Sequence, residues 1–253
     1  MKTVILAGGL GTRLSEVTDI IPKPMVKIGK YPIIYHVMNT FNKYGYKDFY
    51  VALGYKSEII KNYFLNYKYE TADFEINYKS NEINLINKPK IDWKISLIDT
   101  GLETMTGGRL KRLKGYFDKN EDFFLTYGDS LANVNLKKLL SFHKQHKKLV
   151  TISAVHPGAR FGELKLSNYK VKSFKEKPQT QEGWINGGYM VINSKFLKYI
   201  KNDKSILEKN PLEIAAKNGE LMAYKHEGFW HCMDTKRDKD NLEKIFRKKN
   251  SSL

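Results

Sequence analysis

Near the N-terminus, Leu6-Ala7-Gly8-Gly9-Leu10-Gly11-Thr12-Arg13 brings three glycines and an arginine into one short stretch. Glycine lets a backbone turn tightly and approach a ligand with no Cβ in the way. Successive N–H groups in such a turn form a nest for anions, and Arg13 adds a planar fork that suits phosphate. The pattern is neither the Gly-Lys-Ser/Thr of a Walker A loop nor the dinucleotide G-x-G-x-x-G. Alone it fits a tight bend as well as a phosphate cradle. Pro22-Lys23-Pro24-Met25 follows shortly. Prolines on both sides restrict the backbone around Lys23, and a lysine held beside a phosphate cradle can neutralise a reacting phosphate.

Tyr127-Gly128-Asp129 ends an apolar run. An Asp at the carboxyl end of a strand can hold Mg2+, which takes one or two protein carboxylates and completes its shell with phosphate and water. Asp234, in Trp230-His231-Cys232-Met233-Asp234-Thr235, is a candidate second ligand. Spacing in the chain does not show that the two acids meet. Glu176-Lys177-Pro178 and Asn186-Gly187-Gly188 read, taken alone, as a surface ion pair and a hairpin turn, although the acid, ammonium and amide could also bind a polyol phosphate. Asp99-Thr100-Gly101 and Met105-Thr106-Gly107-Gly108-Arg109-Leu110-Lys111-Arg112 suggest a second backbone approach to a ligand. The histidines show no metal-ligand spacing, Cys232 has no cysteine partner, and His143 and His146 read as surface residues.

The elements that would position these residues alternate. Thr3–Ala7 reads as a buried strand, Pro32 opens a helix that stops at Gly45, and Phe49–Leu53 is a second strand. Ser57 caps a helix to about Asn66. This strand–helix order implies parallel strands with crossover helices. Strands are expected at 74–78, 93–98, 123–127 and 150–155, and helices at 107–113, 136–146, 211–217 and 238–246. Glu163–Leu166, Val171–Phe174 and Gly188–Ile192 suggest an antiparallel patch. Residues 1–247 read as one domain and 248–253 as a frayed tail.

At 253 residues, 41% hydrophobic and 28% charged, the chain is neither collagen, disulfide scaffold nor low-complexity disorder. One cysteine fits a reducing cytoplasm. No apolar run nears the ~18 residues of a membrane span, and the apolar start breaks at Gly8-Gly9, unlike a secretory signal. The formal charge of +17 attracts polyanions, but lysines spread along the whole chain read first as a solvated surface. A nucleic-acid module would interleave aromatic and basic residues on one face, whereas here the aromatics fall mostly in expected core elements. An NAD oxidoreductase needs an acid roughly 20 positions past the glycines, where Ile28-Gly29-Lys30-Tyr31 has none.

Together these segments resemble the sugar-1-phosphate nucleotidyltransferases, over nearly the whole chain. Leu-Ala-Gly-Gly-Leu-Gly-Thr-Arg-Leu and Lys23-Pro24 carry the likeness to the superfamily. Met105–Arg112, Arg160-Phe161-Gly162, Ile185–Gly188 and Gly228–Trp230 through Asp234-Thr235 are similar to its cytidylyl-transferring members. The resemblance implies a Rossmann-like α/β fold with a mixed, mostly parallel central sheet and a smaller antiparallel sugar-binding part. It implies CTP and a sugar 1-phosphate, with α-D-glucose 1-phosphate foremost, as partners, Mg2+ as cofactor, and a homo-oligomer, with no nucleic acid or membrane. Leu6, Ala7, Gly8, Gly9, Leu10, Gly11, Thr12 and Arg13 would hold the nucleotide, with Lys23 on its phosphates and Thr104, Arg109 and Gly128 near base or ribose. Asp129 and Asp234 would ligate Mg2+, and Glu176, Lys177, Asn186 and Gly187 the sugar phosphate. Arg13, Lys23 and Asp129 would be catalytic. Ser130, Leu102-Glu103-Thr104 and His231-Cys232 depart from the family's pattern, and none removes a charge the chemistry needs. Another acceptor, or another nucleoside triphosphate, is the alternative within the same chemistry.

Overall fold

Strands covered by helices on both faces read as continuous apolar runs, and the central strands here do so. The structure, a computed structural model, describes residues 1–11, 18–87, 91–157, 163–167, 170–175 and 183–250. β1 (Lys2–Leu6) is followed by a 3-10 turn at Lys23–Met25, the short strands β2 (Lys27–Ile28) and β3 (Tyr31–Pro32), and helix α1 (Ile33–Asn42). β4 (Asp48–Leu53), α2 (Ser57–Thr71), a hairpin of β5 (Phe74–Asn77) and β6 (Glu82–Leu85), and β7 (Lys94–Asp99) come next. Then follow α3 (Thr106–Arg112), β8 (Asp122–Tyr127), β9 (Ser130–Ala132), α4 (Leu136–His146) and β10 (Val150–Val155). The chain continues through β11 (Glu163–Ser167), β12 (Lys170–Lys175), β13 (Ile185–Asn193), α5 (Asn210–Lys217), β14 (Leu221–His226), β15 (Trp230–Cys232) and α6 (Lys236–Asn250).

Seven strands form the central sheet in the order β14-β10-β13-β8-β1-β4-β7. β13 alone runs against the rest: it pairs antiparallel with β10 and β8, and the other pairings are parallel. Successive side chains point to opposite faces of a strand, and the core divides accordingly. Ile5, Phe49, Val51, Phe124, Tyr189 and Val191 face a layer that holds Ile33, Val37 and Phe41 of α1, Leu139 of α4 and Leu242 of α6. Val4, Leu6, Tyr50, Phe123, Leu125 and Met190 face the opposite layer, with Leu110 of α3, Phe196, and Leu212 and Ala215 of α5.

The sequence expectation fails at several points. The three strands expected as one antiparallel patch separate: β11 and β12 pair with each other, and β13 enters the central sheet. Tyr189 to Ile192 are fully buried, so β13 needs cover on both faces. α2 is capped not by Ser57 but by Lys56 in a left-handed conformation (φ 49°). α6 begins before Asp238 and runs into the stretch read as a tail. His143 is buried rather than on the surface; it shares the Thr151 hydroxyl with His146, at 2.8 and 2.7 Å. Among the described residues no helix is long and apolar enough to cross a membrane.

Candidate active site

The parallel register sets Leu6 beside both Ala52 and Tyr127, so the carboxyl ends of β1, β4 and β8 lie level. In open α/β sheets ligands bind outside this edge. The loops leaving it are Gly8–Gly11, Gly54-Tyr55 and Gly128-Asp129. Arg109 holds the first two from beneath. It is 4% exposed, and its Nη1 donates to Leu53 O (2.9 Å), Thr100 Oγ1 (2.8 Å) and Gly101 O (2.7 Å). Its Nη2 donates to Gly8 O (2.9 Å) and Leu102 O (3.1 Å). A Cβ at Gly8 or Gly54 would stand 2.4 Å from this guanidinium, so both positions exclude a side chain. Burial lowers the Arg109 pKa, against the opposing pull of Asp99. Arg109 therefore braces the glycine turn, and these donors are aimed at the protein's own oxygens. Thr104 is buried in the loop between β7 and α3.

Lys23 is placed by the backbones around it. The Pro24 ring lies 3.1 Å from where a Gly128 Cβ would stand, and the Lys23 Cβ is 3.3 Å from that of a substituted Gly11. Gly11 has φ +69°, a conformation that favours glycine. The Lys23 ammonium reaches Asp129 Oδ2 at 2.6 Å and Asp234 Oδ1 at 2.5 Å. Burial alone would depress its pKa; Asp129 and Asp234 overcome that and hold it above its ordinary value. The two acids meet because β9 and β15 pair with Ser130 opposite Cys232, and Met233 N donates to Asp129 O (2.9 Å). Asp238 then accepts from Asp234 N (3.1 Å) and Thr235 N (2.9 Å), while Asp238 N donates to Thr235 Oγ1 (3.2 Å), the reciprocal pattern that starts a helix.

Donor atoms of Asp129, Cys232 and Asp234 all lie within 4.8 Å of one another. Two carboxylates fit the hard, oxygen-seeking Mg2+; a thiol does not. Burial, and then Asp129, push the Cys232 thiol pKa up. The two carboxylates are the pair suited to a hard cation.

The other flank comes from β13. Asn186 Oδ1 accepts from Gly188 N (2.9 Å), and Trp230 Nε1 donates to Gly187 O (2.7 Å). Gly188 has φ +79°, and a Cβ there would stand 2.8 Å from the Tyr127 ring. The Tyr127 hydroxyl donates to Glu208, whose second oxygen accepts from Thr106 Oγ1 (2.7 Å). Burial first and the Glu208 charge second raise the Tyr127 pKa well above normal. The structure thus gathers Gly8, Gly11, Lys23, Asp129 and Asp234, with Arg109 behind and Asn186-Gly187 at one side. Thr12, Arg13, Glu176 and Lys177 lie outside the described residues, as does Arg160-Phe161-Gly162. Sequence reasoning missed Cys232, Asp238 and Glu208 as site neighbours. The Thr235-x-x-Asp238 capping pattern was a readable signal for the second; nothing local marks the other two.

The nucleotidyl transferase family profile matches residues 2–237. The chain is 46% identical over 248 residues to a glucose-1-phosphate cytidylyltransferase of Salmonella typhi, covering 98% of this chain and 96% of that one. It is 40% identical to a probable glucose-1-phosphate cytidylyltransferase of Bacillus subtilis, covering 97% and 96%. Among solved structures, HddC from Yersinia pseudotuberculosis superposes with a TM-score of 0.70 at 26% identity, covering 97% of this chain and 99% of that one.

Proposed function

Because the chain belongs to the nucleotidyl transferase family, we propose that it joins CTP to α-D-glucose 1-phosphate, giving CDP-glucose and pyrophosphate. Relatives named for that activity, similar over nearly their whole length, support the choice of base and sugar. One observation carries the chemistry: an ammonium set between two carboxylates, Lys23 with Asp129 and Asp234, at the carboxyl edge of the sheet beside a glycine turn.

The acceptor is a phosphate monoester, already an anion, so its oxygen attacks the α-phosphorus of CTP in line and pyrophosphate leaves. The enzyme needs no nucleophile; it must position two anions and neutralise their charge. The turn at Gly8, Gly9 and Gly11, held by Arg109, offers backbone N–H groups to the triphosphate. Lys23 keeps its proton through the reaction because both neighbouring carboxylates stabilise the charge, and it stands ready to turn toward phosphate oxygen. Asn186 and the Gly187 backbone bind sugar hydroxyls, assisted by Glu176 and Lys177. Asp129 and Asp234 would hold Mg2+, which supplies charge neutralisation at the phosphates when bound. Arg13 adds a phosphate fork.

The test is pyrophosphate release by the purified protein with Mg2+, each nucleoside triphosphate and a panel of phosphate esters. CTP with glucose 1-phosphate should give the highest kcat/KM. Equal or better turnover with another nucleotide, or with another ester, would replace that part of the assignment.

A further inference from the structure

Tyr127 and Glu208 stand just behind Asn186, and no step of the proposed reaction uses either. β13 runs antiparallel to β8 with Met190 opposite Leu125, which brings Gly188 level with Tyr127. The Tyr127 ring fills the place a Gly188 side chain would need. Asn186 lies two residues back on the same face, with its Oδ1 held by Gly188 N (2.9 Å). The Tyr127 hydroxyl donates to the Glu208 carboxylate. A phenol that gives its proton to a carboxylate keeps its own lone pairs for a donor. Asn186 acts on that oxygen as such a donor, lowering the Tyr127 pKa against the rise set by burial and by Glu208.

The other oxygen of Glu208 accepts from Thr106 Oγ1 (2.7 Å), and that hydroxyl in turn accepts from Leu207 N (2.9 Å). The loop before Glu208 is clamped on α3. Met105 N donates to Asp203 O (2.8 Å), and Gly107 N and Gly108 N donate to Ser205 O (2.9 and 3.1 Å). The Arg112 guanidinium grips the Asp203 carboxylate at 3.0 and 2.6 Å. A Cβ at Gly107 would stand 2.8 Å from Ser205 O, and one at Gly108 2.4 Å from Asp203 O, so helix and loop meet backbone to backbone. α3 also carries Arg109, the brace of the glycine turn. Glu208 is an exposed residue, yet its carboxylate is tied to rigid backbone on one side and to Tyr127 on the other.

We infer that Glu208 is a positioning residue for the acceptor: it holds the Tyr127 hydroxyl, and Tyr127 in turn orients the Asn186 amide toward the hydroxyls of the sugar phosphate. Were Glu208 only a tie between the loop and α3, its loss would loosen Arg109 and the glycine turn, and nucleotide binding would suffer. Acting through Tyr127, its loss falls on the acceptor instead. The inference rests on the reading of Asn186 as a sugar ligand and goes beyond it by naming what orients that amide.

Steady-state kinetics tests it, with KM measured separately for nucleotide and acceptor, on whichever nucleotide and phosphate ester wild type turns over best. Glu208→Ala should raise the acceptor KM about 10-fold, the low end for one charge-assisted hydrogen bond because Glu208 is exposed. Its nucleotide KM should stay within about 2-fold of wild type. Tyr127→Phe, which keeps the ring against Gly188 and removes only the hydroxyl, should do the same. The double variant should be no worse than either single one, since both cut one chain of hydrogen bonds. Glu208→Gln, whose carbonyl still accepts from Tyr127, should bring the acceptor KM back to within about 3-fold of wild type. A rise in nucleotide KM equal to or larger than that for acceptor overturns the inference. So do additive effects in the double variant, or a glutamine variant no better than alanine. Asn186→Ala separates this inference from the reading it rests on. If that variant leaves the acceptor KM unchanged, Asn186 is no sugar ligand and the inference falls with it. If it raises the acceptor KM while Glu208→Ala does not, the role of Glu208 alone is overturned.

Discussion

Lys23→Met removes the ammonium between Asp129 and Asp234 while keeping an unbranched side chain of similar length. Donor atoms of the two acids lie within 4.8 Å. At an effective dielectric of ~20, two unit charges at that distance repel by about 3.5 kcal/mol. The carboxylates are 24% and 30% exposed, so solvent screening reduces the felt repulsion to roughly 1–3 kcal/mol. For a chain of this size that corresponds to a Tm lower by about 3–10 °C in the absence of divalent cation. The same substitution should lower turnover about 10²–10³-fold, the usual loss for one preorganised charge at a reacting anion. The two carboxylates, no longer neutralised, should bind Mg2+ more tightly in the free protein, and millimolar Mg2+ should recover most of the lost Tm. Pyrophosphate release, thermal melts with and without Mg2+, and calorimetric titration read the three quantities. Affinity for Mg2+ should rise as turnover falls. Near-normal turnover, or Mg2+ affinity that falls together with it, would refute the idea that Lys23 and the cation serve the same pair of acids.

Arg109→Lys should cost at least ~3 kcal/mol in denaturant melts and raise the KM for nucleotide, since one ammonium cannot serve oxygens of Gly8, Leu53, Thr100, Gly101 and Leu102 as the guanidinium fork does; an unchanged melt would contradict the bracing role. Gly188→Ala should destabilise by about 1–3 kcal/mol, because φ is +79° and the new methyl meets the Tyr127 ring; a neutral urea melt would show that β13 relaxes freely at this position. Burial lowers the pKa of His36, His143 and His146 from 6.5. Their contribution to stability is complete above that value and is lost as pH falls below it, because the unfolded chain takes up protons first. Tm should therefore drop between pH 7 and 5, and His143→Gln should make that slope shallower; an unaltered slope would remove His143 from the explanation.

How much of this could be read from residues alone depends on the range of the interaction responsible. The strands β1, β4, β8 and β10 and helices α1 and α4 were legible because apolar periodicity and Pro/Gly punctuation are local. The glycine turn, Lys23-Pro24 and Asp129 were legible because their chemistry sits in contiguous segments. Three outcomes needed the folded chain. β13 went into the central sheet because Tyr189 to Ile192 require cover on both faces, a demand met by the two layers packed on opposite sides of that sheet. Arg109 became a brace because carbonyls from Gly8, Leu53, Gly101 and Leu102 converge on it, and no spacing within the chain announces such a convergence. Asp129 and Asp234 are far apart in the chain, and the β9–β15 register brings them to one ammonium. Sequence by itself determined which groups could neutralise phosphate. Only tertiary structure decided which of them share a site, because electrostatic coupling depends on distance in space.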